Sequence, residues 1–173
     1  MTSACDKVIL VVDDEPNVRS YLRAVLEDAE FNVITAADGD EALKLIREKK
    51  PDFISLDLVM PKRSGQKVLY ELKKDKELSR IPVLIVTAHA KTEMGKGQME
   101  ELIESTALSG PGLYLEKPVS PLAYVRCVQH ALGLEESQET TTRISLKEEL
   151  EARLKSAGPD ALRRALDALD GNK

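Results

Sequence analysis

Short apolar runs alternate with amphipathic stretches from Lys7 to Gly133. Val8-Ile9-Leu10-Val11-Val12, Phe31 to Ala36, Phe53 to Asp57, Val83-Leu84-Ile85-Val86 and Leu113 to Glu116 read as strands one to five. The first and fourth runs are near-continuously apolar, as expected of parallel strands buried on both faces. Between the runs, apolar residues recur at helical spacing. Val18, Leu22, Val25 and Leu26 follow Pro16, a residue suited to a first helical turn. Ala42, Leu43 and Ile46 mark a helix from Glu41 to Lys49, after the turn signal Asp38-Gly39 and before Pro51. Val68, Leu69 and Leu72 mark another after Gly65, and Ser120-Pro121 form an N-cap and N1 pair for a further one. Strands alternating with helices over this length predict an α/β fold, a five-stranded parallel sheet doubly wound with helices on both faces.

Two stretches leave this rhythm. Lys91 to Pro111 is long for one helix and its connections, and a helix from about Gln98 to Ser105 is expected within it, using Met99, Leu102 and Ile103. Residues 134–143 are polar and read as a linker. Beyond them, residues 144–171 carry two amphipathic patterns, a helical hairpin. Ser145 and Glu148 suggest a capping box before Leu146, Leu150 and Leu154. Gly158-Pro159 ends that helix and starts another, with Leu162, Ala165, Leu166 and Leu169 on its apolar side. Two short helices bury too little to fold alone, so they are expected to dock back on the receiver or to form a homodimer with a second copy; the alternative is a remnant that folds only on a partner.

The 173 residues suit one domain with an appendage, residues 7–133 and the tail. A hydrophobic content of 42 % supports a core, and only 3 % aromatic content makes that core aliphatic. A formal charge of −5 argues against a general nucleic-acid binder. No apolar stretch approaches the ~20 residues of a membrane span, and the first residues lack a signal-peptide pattern. Cys5 and Cys127 have no metal or disulfide spacing. A cytoplasmic location follows as an expectation, with no membrane partner.

The chemistry lies where the strands end. Asp13-Asp14, Asp57, Thr87 and Lys117-Pro118 each follow a strand-like run, and open α/β sheets bind ligands at the carboxyl ends of their strands. Converging carboxylates repel, and a divalent cation relieves them; oxygen-only ligands favour Mg²⁺, which keeps waters for a phosphate. An ionised aspartate can attack phosphorus. A lysine and a hydroxyl can then neutralise phosphoryl oxygens.

From Lys7 to Gly133 the chain resembles the response-regulator receiver domain of bacterial two-component signalling, a flavodoxin-like fold. The resemblance rests on Asp13-Asp14, on Asp57-Leu58-Val59-Met60-Pro61 with Gly65, on Thr87-Ala88 and on Lys117-Pro118, in that order. It implies that Asp57 accepts phosphate from a sensor histidine kinase or a phosphotransfer protein. It implies Mg²⁺ held by Asp14 directly, by Asp13 mainly through water, by Asp57 and by the Val59 carbonyl. Lys117, before a cis Pro118, and Thr87 would contact the phosphoryl group. Tyr114 would be the switch aromatic, turning inward as Thr87 moves. Val59 and His89 occupy positions that tune phosphoryl lifetime, and Val59 cannot orient a water, so slow self-dephosphorylation is expected.

The remaining length is short for a winged-helix output domain, and Arg163-Arg164 reads as a solvated pair, so direct DNA binding is not expected. Output would be a downstream protein target or phosphorelay, without enzymatic turnover. The alternatives are an aspartyl-nucleophile phosphohydrolase, whose nucleophile usually lies in an early Asp-x-Asp, and a phosphorylation-independent interaction module.

Overall fold

The computed structural model of the chain describes residues 4–61, 64–87, 114–134 and 138–156. Its strands are β1 Val8–Val12, β2 Asn32–Ala36, β3 Phe53–Leu56, β4 Val83–Thr87 and β5 Tyr114–Glu116. Its α-helices are α1 Pro16–Asp28, α2 Gly39–Lys49, α3 Ser64–Lys74, α4 Pro121–Ala131 and α5 Gln138–Ser156. The chain divides into two compact units, Met1–Glu136 and Ser137–Lys173.

In the first unit all five strands are parallel, in the order β2-β1-β3-β4-β5. The strand order reverses at β1, whose neighbours are β2 and β3. The carboxyl ends of β1 and β3 therefore flank the crevice where doubly wound sheets place their ligands. β1 and β3 are buried almost throughout. One face of the sheet packs Leu10, Val12, Ile54, Leu56 and Ile85 against Leu43, Ile46, Val68 and Leu69 of α2 and α3. Strand alternation sends Ile9, Val11, Phe53 and Ser55 to the opposite face.

Local chemistry explains the helix starts. Pro16 opens α1 with Glu15 at its N-cap. Asp38, expected as part of a turn, is the N-cap of α2, which starts two residues earlier than expected. Its Oδ1 accepts from the Asp40 and Glu41 amides, both at 2.9 Å. Acids then occupy the first turn and Arg47 and Lys49 the last, complementing the helix dipole. Ser120 takes the N-cap position of α4 but makes no side-chain cap bond there, and Pro121 starts the helix.

In the second unit, α5 begins at Gln138 rather than near Ser145. Residues 138–143, expected as linker, are helical, and Ser145 and Glu148 lie inside the helix instead of forming a capping box. Polarity alone does not exclude helix: Glu139 suits the first turn, and Thr142 Oγ1 donates 2.7 Å to the Gln138 carbonyl one turn back. Leu146 and Leu150 are both exposed. The expected helix at Gln98–Ser105, His89, and the second tail helix after Pro159 lie outside the described residues. No helix among the described residues is long and apolar enough to cross a membrane.

Candidate functional site

Asp13 directly follows β1, and Asp57 directly follows β3, its neighbour in the sheet. Both aspartates use their two oxygens in the same way. Asp13 Oδ1 accepts from the Glu15 amide at 2.9 Å, and Asp57 Oδ1 accepts from the Val59 amide at 2.8 Å. Each is an aspartate closing a turn on the amide two residues ahead. That anchor fixes the carboxylate plane and leaves Oδ2 facing the crevice.

Lys117 fills the space between them. Its Nζ lies 2.6 Å from Asp57 Oδ2 and 2.7 Å from Asp13 Oδ2, with Glu15 further out at 3.7 Å. The bond to Asp57 is a directed hydrogen bond. Asp13 Oδ2 makes no directed hydrogen bond although it is buried, so its contact with Lys117 is ionic. The side chains of Asp13 and Asp57 are only 1 % and 4 % exposed, and that of Lys117 is 11 %. The Lys117-Pro118 peptide bond is cis.

Two supports hold this arrangement from outside. Arg19 Nη1 donates 2.6 Å to the Asp13 backbone carbonyl, tying the turn after β1 to α1. Gly65 brings the start of α3 against the turn after β3. A Cβ there would collide with the Asp57 carbonyl oxygen and stand 2.8 Å from Leu58 Cα. A side chain at this position would push on the turn that aims Asp57.

The electrostatics are unbalanced. Burial pushes the Asp13 carboxyl above its ordinary pKa; Lys117 and the Glu15 amide pull it back without cancelling the rise, and Asp57 adds repulsion. Burial would pull Lys117 down, but Asp13 and Asp57 outweigh it, and the ammonium titrates above the ordinary lysine range. One fixed cation thus serves several acids. Asp13, Asp14 and Asp57 each offer a carboxylate oxygen, and these lie within 4.8 Å of one another. An oxygen-only set in which three aspartates share one lysine fits a hard divalent cation.

The structure therefore gathers Asp13, Asp14, Asp57 and Lys117. Val59 is adjacent through its amide, with its side chain at the surface. Thr87 is the last residue of β4, paired in register with Glu116, next to Lys117. Tyr114 begins β5, and its hydroxyl is buried without a hydrogen-bond partner among the described residues. Burial, then Glu116, raises its pKa. Arg19 was not anticipated. An arginine one turn into a helix carries no motif, so only the packing reveals it.

A sequence profile described as the response regulator receiver domain matches residues 9–122. The polar-differentiation response regulator DivK of Brucella anthropi is 36 % identical over 126 residues, covering 73 % of this chain and 95 % of DivK. The regulator PhoP of Bacillus subtilis, named for alkaline phosphatase synthesis, is 40 % identical over 117 residues. That match covers 67 % of this chain and 44 % of PhoP, so the chain spans under half the length of this longer relative. The chemotaxis response regulator CheY4 of Vibrio cholerae superposes with a TM-score of 0.61 at 27 % identity, covering 75 % of this chain and 99 % of CheY4.

Proposed function

This chain belongs to the response-regulator receiver family, and from that premise we propose that Asp57 is its phosphoacceptor. Phosphorylation-switched signalling is what the family does; the residues and partners assigned below are the proposal. The observation that carries it is Lys117 Nζ lying 2.6 Å from Asp57 Oδ2 and 2.7 Å from Asp13 Oδ2 at adjacent strand ends.

The chemistry follows from this placement. Lys117 Nζ donates to Asp57 Oδ2 and neutralises its charge, and the Val59 amide holds Oδ1 in place. An Asp57 oxygen forms a bond to phosphorus as the phosphorus–nitrogen bond to a phosphohistidine breaks; the electron pair returns to the imidazole, which takes up a proton. Lys117 exchanges its carboxylate contact for a phosphoryl oxygen, and Thr87 supplies a hydroxyl to another. Asp13, Asp14 and Asp57, with the Val59 carbonyl, would hold Mg²⁺, which supplies charge neutralisation for the transferring group. Tyr114 acts as the switch aromatic. Val59 presents an apolar side chain to solvent, 37 % exposed, and offers no acceptor to orient a hydrolytic water. The acyl phosphate therefore persists for minutes or longer.

Residues 7–133 form the receiver, and the tail is an appendage to it. The donor is a sensor histidine kinase or a phosphotransfer protein, and the output is binding of a protein target or onward phosphoryl transfer. The near-complete coverage of DivK supports an output of this kind. A cytoplasmic location suits such partners.

Intact-mass measurement after incubation with Mg²⁺ and acetyl phosphate tests the assignment. One phosphoryl group should appear on the wild type, and none on Asp57→Ala or in the presence of a chelator. Equal uptake by Asp57→Ala would overturn it. Sustained release of phosphate would instead indicate a phosphohydrolase.

A further inference from the structure

Lys117 reaches its acids from far across the sheet. It directly follows β5, the outermost strand of the order β2-β1-β3-β4-β5. Neighbouring strands lie about 4.8 Å apart, so β5 stands roughly 10 Å from β3 and roughly 14 Å from β1. Yet Lys117 Nζ meets Asp57, after β3, at 2.6 Å and Asp13, after β1, at 2.7 Å. A flexible four-carbon stem does not by itself aim an ammonium over that span. The chain after β5 must therefore be held toward β1.

A side chain of α1 provides the hold. Tyr21 Oη donates 3.2 Å to the backbone carbonyl of Val119, two residues after Lys117. Val119 is buried, and α1 packs on β1 and β2 and against α4, so both ends of this bond are anchored. Arg19, two residues earlier on α1, donates 2.6 Å to the Asp13 carbonyl. One helix thus grips the chain after β1 and the chain after β5, the two segments whose acid and lysine meet.

Resting on the proposed phosphoacceptor site, we infer that Tyr21 is a positioning residue for Lys117. Its hydroxyl fixes the Val119 carbonyl relative to α1, and so sets how far the lysine leans over β4 toward Asp57. Tyr21 acts on the reaction only through the lysine. The residue is 41 % exposed, so its bond competes with water and is a modest tether. Reacting groups tolerate little drift, so losing that tether shows in the rate of phosphoryl uptake.

Tyr21→Phe removes one oxygen and keeps the ring. At saturating Mg²⁺ its phosphoryl uptake from acetyl phosphate, followed by intact mass, should slow about fivefold. Calorimetrically titrated Mg²⁺ binding should be no weaker than in the wild type, because the acids keep their places. In a Lys117→Met background the same change should slow uptake no further, because the lysine it aims is gone. Uptake by Tyr21→Phe at the wild-type rate would overturn the inference, as would equal slowing in both backgrounds. Slowing that comes with weaker Mg²⁺ binding would place the effect on the acids and overturn it too. A wild type that takes up no phosphoryl group, or an Asp57→Ala variant that takes up as much as the wild type, would instead overturn the site assignment on which the inference rests.

Discussion

The strand pair β1 and β3 carries a lysine–aspartate pairing at each end, and the two ends behave oppositely. At the amino end Lys7 Nζ lies 2.9 Å from Asp52 Oδ1, and the Val8 amide donates 2.9 Å to Oδ2. Partial burial pushes Asp52 up, but the Val8 amide and then Lys7 more than reverse it, and its pKa lies below the ordinary value. At the carboxyl end Lys117 is shared by Asp13 and Asp57, and the Asp13 pKa is raised. The same two residue types make a clamp where each charge is matched and a cluster where acids outnumber the cation. The imbalance sits at the carboxyl edge of the sheet, where a divalent cation would relieve it.

Removing the lysine from each end sharpens the contrast most. Lys117→Met leaves Asp13 and Asp57 buried without their cation. Stability at neutral pH should fall by about 3 kcal/mol, and phosphoryl uptake should slow on the order of a hundredfold. The missing cation pushes the Asp13 carboxyl further up, so the lost stability returns as pH falls and Asp13 protonates, or as Mg²⁺ is added. Lys7→Met should cost about 0.5–1 kcal/mol and leave uptake unchanged. Denaturant unfolding with mass-detected uptake would settle it; equal costs at the two ends would remove the distinction.

Gly65→Val tests whether the carboxyl end depends on fine placement. The new side chain collides with the turn carrying Asp57, so stability should fall by about 1–3 kcal/mol and uptake should slow. Retained uptake with lowered stability would show that the turn shifts without disturbing Asp57.

Asp13→Asn should move stability the other way. A folded-state carboxyl with a raised pKa binds protons more tightly than the unfolded chain does. It therefore destabilises the fold at pH values above its folded pKa, and this penalty fades as pH falls. Neutralising it should stabilise the metal-free protein by on the order of 1 kcal/mol and weaken the stabilisation that Mg²⁺ confers on the wild type. A loss of metal-free stability would mean that the ion pair with Lys117 outweighs the desolvation.

Much of this contrast is legible in the sequence, and unevenly so. The strands are visible because β1, β3 and β4 are buried on both faces, which forces near-continuous apolar runs. The acids and Lys117 are visible because polar residues abruptly end those runs. Which oxygen faces which partner is not visible, since it depends on the Glu15 and Val59 amides closing turns. Asp38 reads equally well as a turn residue or a helix cap, and the two amides it accepts decide the matter. The start of α5 was hidden because a polar segment can be loop or solvated helix with the same composition.

The smallest effect belongs to the amino end, and its sign separates the two ends most cleanly. Asp52 is about one-third exposed, at 32 %, so solvent screens its pairing with Lys7. Asp52→Asn should therefore cost only about 0.5–1 kcal/mol at neutral pH. Because the folded pKa is depressed, this stabilisation is fully present above the unfolded aspartate value of about 3.9 and disappears as pH falls through the folded one. The wild-type advantage over Asp52→Asn should shrink in acid, whereas the advantage of Asp13→Asn over wild type should shrink in acid too, from the opposite side. The stabilities of the three proteins thus converge at low pH and fan out around the wild type as pH rises. An Asp52→Asn penalty that grows with acidification would show that the Lys7 clamp is not electrostatic and would dissolve the comparison between the two ends.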